Sequence, residues 1–239
     1  MPETVEIAIV SFKDSSPPQS WLDNLKTFAS TPGLITLYFG QQIEHPDKYN
    51  WVARWTSQSA IDDFHNNSNF KAWADAYAAP LATSVIKTTQ ETTGEPSVPL
   101  DSPCTEFFIN HGASDDFHKA RLDPFIQKLV DAKLPGLIGG STGEYKTVIN
   151  VNEEVPEHKE VILLLGWVNK EAHTALQGEG GSTFCLQLHD YTKRVEPILT
   201  LYYSYCLQSS HDSSLQQGVQ PGKDESIQHG QSTEGEGNC

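Results

Sequence analysis

Pro32-Gly33-Leu34-Ile35 and Pro135-Gly136-Leu137-Ile138 are one tetrad written twice, 103 residues apart. Around each copy the chain repeats the same order of features. The first copy follows an alternating apolar run at 5–12 and a helical stretch from Trp21, and precedes an aromatic strand at 51–55 and Ser68-Asn69-Phe70. The second follows the run 105–110 and a helical stretch from Pro124, and precedes 161–167 and Ser182-Thr183-Phe184. The two Ser-x-Phe elements lie 114 apart, so the second half is longer, and a longer hairpin there accounts for the surplus. Repetition on this scale exceeds the solenoid period of about 20–50 residues and predicts a tandem pair of small domains.

Each unit reads as βαββαβ. In the first, 5–12 has strand character, and Trp21, Leu22, Leu25, Phe28 and Ala29 recur at helical spacing until Pro32-Gly33 stops them. Residues 34–39 and 49–55 form a hairpin across Glu44-His45-Pro46-Asp47. A second helix carries Ile61 and Phe64, breaks at Asn66–Asn69, and resumes through Phe70, Trp73 and Tyr77; 81–90 is the last strand. The second unit predicts strands near 104–111, 138–151, 158–167 and 198–208, with helices near 115–133 and 169–194. The fold class is therefore α+β, with two ferredoxin-like repeats. The domains are 1–92 and 104–208, joined by a Thr-, Pro-, Gly- and Ser-rich linker at 93–103. Residues 209–239 lack periodicity and read as a disordered tail.

The 31 acidic and 16 basic residues give a formal charge of −15, which repels nucleic acid and anionic membranes, so neither is an expected partner. The four cysteines show no Cys-x-x-Cys spacing, and the first residues lack a signal-peptide pattern; a reduced, cytoplasmic protein is expected. Neither a zinc-type nor a calcium-loop motif occurs, so no metal site is predicted.

Residues Gly33-Leu34-Ile35, Trp51-Val52-Ala53-Arg54-Trp55, Ala60-Ile61-Asp62-Asp63-Phe64 and Ser68-Asn69-Phe70-Lys71-Ala72-Trp73 resemble the antibiotic-biosynthesis monooxygenase group of the dimeric α+β barrel superfamily. The duplicated plan covers nearly all of 5–208. Members of that group pair two such sheets, usually between chains, and the resemblance implies that this chain completes the barrel alone; self-association is left open. It also implies cofactor-free oxygenation, or cyclisation or isomerisation through an enolate, of an aromatic or polyketide-like molecule. Many such members carry a His just before the Phe of the second helix. Here that position is Asn69 in one half and Thr183 in the other, and Asn cannot act as a base near neutral pH.

Candidate site residues follow from chemistry and spacing. His111 and His173 are the preferred acid–base pair, since imidazole titrates near neutrality and strand-end and helix-borne groups converge on the cleft between layers. His65, Asn69, Trp73 and Tyr77 recur every fourth residue and would share a helical face, which with Trp51 and Trp55 would line an aromatic pocket. Tyr191 adds a phenol, and Arg54 or Asn69 would hold an oxyanion. The competing reading makes the aromatic residues core and the chain a non-catalytic stress-response or ligand-binding protein.

Overall fold

The computed structural model describes residues 3–151, 159–179 and 194–205. The first half contains β1 (Thr4–Phe12), α1 (Gln19–Phe28), β2 (Leu34–Gln42), β3 (Lys48–Trp55), α2 (Gln58–His65), α3 (Phe70–Ala78) and β4 (Leu81–Thr93). The short helix α4 (Ser97–Leu100) leads into the second half. That half contains β5 (Cys104–His111), a π-helical turn at His118–Leu122, α5 (Asp123–Asp131), β6 (Leu137–Val151), β7 (Glu160–Trp167), α6 (Lys170–Glu179) and β8 (Arg194–Tyr205). Met1–Leu207 form one compact unit.

The eight strands close into an antiparallel barrel in the order β1-β3-β2-β8-β5-β7-β6-β4. Each half contributes a ferredoxin-like sheet, β4-β1-β3-β2 or β8-β5-β7-β6. The edge strand of one half pairs with that of the other, Phe39 opposite Tyr203 and Ile86 opposite Ile149. No edge among these strands is left to pair with another chain. The extra length of the second half lies in its hairpin, where β6 runs fifteen residues against nine in β2.

The repeated tetrads have a shared mechanical cause. Gly33 and Gly136 adopt φ of +85° and +81°, and a side chain on either would collide with Ala60 or Ala172 at the start of the following helix. The tetrad thus turns the chain and lets α2 or α6 pack directly over it. Gly33 O accepts from Thr56 N, and Gly136 O accepts from Val168 N, both at 2.9 Å. These equivalences set Trp55 against Trp167, Ala60 against Ala172 and Ile61 against His173, each 112 residues on.

Strand alternation separates three cores. Under the first-half helices lie Trp21, Phe28, Phe39, Trp51, Trp55, Ile61 and Tyr77; under those of the second lie Phe108, Phe117, Leu122, Leu129 and Trp167. The barrel interior holds Val5, Ile7, Tyr38, Val52, Phe107, Ile109, Tyr145, Ile162 and Leu164. The stretch read as a plain linker does more than connect. Leu100 of α4 inserts into that interior core, and Tyr38 Oη donates to Asp101 Oδ1 at 2.7 Å, so α4 plugs the end of the barrel from which β5 starts. A cavity lined by Val5, Thr89, Ser141, Gly143, Ile162 and Leu164 offers about 10 Å³ to the centre of a water-sized sphere, room for about one water.

Candidate active site

The first-half helices position a continuous ladder of rings. His65 ends α2 and packs on Phe70 at 4.8 Å; Phe70 stacks on Trp73 at 6.1 Å, and Trp73 on Tyr77 at 5.2 Å and 16°. Tyr77 meets Trp51 edge-on, and Phe28 joins Trp73, Trp51 and Trp55. The helix is not continuous through this region. The Asn67 side chain accepts from the Asn69 backbone N–H at 2.9 Å, a local turn that competes with helix and ends α2 before α3 begins. His65 and Asn69 therefore sit on separate helices rather than on one face. Asn69 is exposed at the start of α3, where its side chain makes no capping bond.

Most polar groups of the ladder are satisfied. Trp51 Nε1 donates to Tyr77 Oη at 3.0 Å, and Tyr77 Oη meets Ser84 Oγ at 3.2 Å. Trp21 Nε1 donates to Tyr77 O. Trp73 is the exception: its indole N–H is buried with no hydrogen-bond partner among the described residues. A buried donor without a partner costs about 1–3 kcal/mol, so it marks a place where an acceptor belongs. Half-buried His65 has its pKa lowered, chiefly by burial, which keeps the imidazole neutral and able to accept a proton near pH 7.

Beneath the ladder is a group that sequence reasoning missed. Trp55 Nε1 donates to Glu6 Oε2 at 3.0 Å, and Glu6 is buried. Burial pushes its carboxyl up to about 7, against a smaller opposing effect of the Trp55 bond. The second half repeats the pair, Trp167 Nε1 donating to Glu106 Oε2 at 3.1 Å. There the residue equivalent to Ile61 is His173, whose Nε2 lies 3.2 Å from Glu106 Oε1. The signal was present in the sequence: Glu6 and Glu106 interrupt the apolar runs of equivalent first strands, and each repeat ends its third strand in Trp.

The remaining sequence candidates do not join this site. His173, on α6, meets Glu106 on the helix-covered side of the sheet, whereas His111 Nδ1 meets Glu160 beside Lys87, so the two histidines do not converge. His111 lies five positions after Glu106 on β5, an odd step that sends their side chains to opposite faces. Arg54 is committed to Glu3, with Nη2 2.9 Å from Oε2, and faces the side opposite Trp55. Tyr191 and the tail at 209–239 lie outside the described residues.

The class defined by this architecture is the dimeric-type α+β barrel, built here by one chain. Residues 18–76, from the approach to α1 into α3, match the family model for antibiotic biosynthesis monooxygenase. Three solved structures share the fold. An anthrone oxidase-like protein is 11% identical, with 84% of this chain and 93% of its own covered at a TM-score of 0.63. A protein of Lactobacillus acidophilus NCFM, provisionally described as a monooxygenase, is 13% identical over 84% and 94% at 0.55. One from Fusobacterium nucleatum subsp. nucleatum, described in the same way, is 10% identical over 84% and 92% at 0.51. No curated protein matches the chain by sequence. No helix among the described residues is long and apolar enough to cross a membrane.

Proposed function

We propose that this chain is a cofactor-independent enzyme acting on an aromatic or polyketide-like small molecule through an enolate, with its site on the α2–α3 face of the first half. The observation that carries the reading is the buried, unpartnered N–H of Trp73, one helical turn beyond exposed Asn69 and inside the segment that matches the monooxygenase family model. A flat ring system would extend the ladder from Phe70 to Tyr77. Neutral His65 would take the substrate proton, and the charge would develop on an oxygen held by the Trp73 indole and the Asn69 amide. The resulting carbanion is electron-rich enough to react with dioxygen or to attack a carbonyl of the same molecule.

The decisive variant is Trp73→Phe, which keeps a ring but deletes the N–H. With a panel of anthrones and flat phenols, oxygen uptake and product formation should be measurable for the unmodified protein. They should fall about 10²–10³-fold in the variant, as for loss of an oxyanion donor. Equal rates in the two proteins, or no turnover of any panel member, would refute the enzyme reading. A second reading, a ligand-binding protein without catalysis, is favoured by the dense packing of Trp21, Trp51 and Trp55 around this face. It predicts saturable binding of the same panel with no turnover.

A further inference from the structure

Away from the α2–α3 face, the barrel interior contains an ionic chain that the proposed reaction does not use. Glu160 at the start of β7 is buried between two partners. Lys87 Nζ lies 2.5 Å from its Oε2, and His111 Nδ1 lies 2.6 Å from its Oε1. Burial alone would raise the Glu160 carboxyl, but the His111 hydrogen bond and the Lys87 charge outweigh it and hold the group below its usual range. Lys87 also sits 5.1 Å from the centre of the Tyr145 ring. The Tyr145 hydroxyl is buried, 8% of the residue being exposed, with no hydrogen-bond partner among the described residues. Burial, and then the Glu160 charge, raise that phenol well above 10, so it remains a neutral donor.

The fold itself does not require this cluster. The ladder position of His111 opposite Glu160 corresponds in the first half to Ser11 opposite Lys48, and Tyr145 corresponds to Gln42. By register, Lys87 opposite Ile7 corresponds to Ile198 opposite Phe107. The equivalent end of the barrel therefore forms with Lys48 in the place of Glu160, no histidine opposite it, and Ile198 in the place of Lys87. Burying ions costs several kcal/mol each before pairing, a cost that the repeat shows to be avoidable. Glu160 Oε2 accepts from Lys87 and Oε1 lies 2.6 Å from His111 Nδ1, while the Tyr145 O–H, beside a cation, meets no acceptor among the described residues. Such a surplus of donors calls for an oxyanion.

We propose that the interior end of the barrel formed by Lys87, His111, Tyr145 and Glu160 is a second ligand site, taking the carboxylate of a small organic acid. One carboxylate oxygen accepts from Tyr145 Oη and the other faces the Lys87 ammonium. His111, whose side chain is 23% exposed while Glu160 is 2% exposed, marks the entrance. The site is independent of the Trp73 face and stands whether or not that face is catalytic.

The test titrates acetate at constant ionic strength against the full chain and follows the His111 ring and Trp73 indole signals by NMR. The expected result is a saturable shift of His111 with Trp73 unmoved. Tyr145→Phe is the informative variant, because removing a hydroxyl that bonds none of the described residues leaves the melting temperature unchanged or raised. It should weaken acetate about tenfold, one ligand hydrogen bond's worth. Lys87→Met should abolish the shift but strands the Glu160 charge and destabilises the fold, so Tyr145→Phe decides. The proposal is overturned if His111 shows no saturable shift, if Tyr145→Phe binds acetate as tightly as the parent, or if that variant melts lower.

Discussion

Substituting Glu6 by glutamine tests the account of the buried carboxyl most directly. Glu6 is fully enclosed, and its pKa rises from 4.5 to about 7 on folding, mainly through burial. Between those values the native state holds a proton that the unfolded chain releases, so stability falls as pH rises through the window. A gap of about 2.5 in pKa, at about 1.36 kcal/mol each, amounts to roughly 3 kcal/mol across the full window and about 2 kcal/mol from pH 5.5 to 8. The amide introduced by Glu6→Gln accepts the same bond from Trp55 but stays neutral at every pH. Its extra N–H groups add a cost that does not vary with pH. The quantity to measure is therefore the difference in unfolding free energy between variant and parent, from urea titrations followed by tryptophan fluorescence at pH 5.5 and 8. Work near pH 5 is best avoided, since the sequence pI of about 4.9 favours precipitation. The variant should gain about 2 kcal/mol on the parent over that range. A difference that stays constant with pH would refute the assignment of a protonated Glu6.

Two further substitutions probe the repeat. His173→Leu leaves Glu106 with Trp167 alone and should cost about 3–5 kcal/mol, as for removal of one member of a buried pair, which urea unfolding reads. Gly33→Ala places a side chain at φ +85° against Ala60 and should cost about 1–2 kcal/mol from the backbone alone, plus the steric clash. Adding Ala60→Gly should recover the clash but not the backbone cost, a partial rescue visible in the melting temperature.

The duplicated plan was legible because its marks are local. A glycine forced to positive φ, an alanine over which a helix lies, and an indole closing a strand each leave a fixed residue at a fixed place, and the tetrads carry the register of both halves. The aromatic ladder from His65 to Tyr77 was legible for the same reason, as fourth-residue spacing, although the Asn67 turn broke the single face that the spacing implied. The environments of the Glu6 carboxyl and of the Lys87–Glu160 pair were not legible, although Glu6 itself stood out in an apolar run. Each is one charged residue in a strand, and what sets its chemistry is a partner, or the lack of one, tens of residues away: Trp55 for Glu6, and Glu160 for Lys87. Convergence of His111 and His173 failed on strand parity, which sends His111 and Glu106, the partner of His173, to opposite faces of β5.

Closing the barrel within a single chain has a consequence for how its surfaces change. In a barrel made from two identical chains, every substitution is applied twice, and a charge placed at one mouth appears also at the other. Here β2 meets β8 and β4 meets β6 inside one polypeptide, so each position is altered once. Ile61 stays apolar while His173 meets Glu106, and Ser11 stays small while His111 meets Glu160. Covalent linkage frees each half to vary without disturbing its counterpart, while the shared ring of strands keeps both in register.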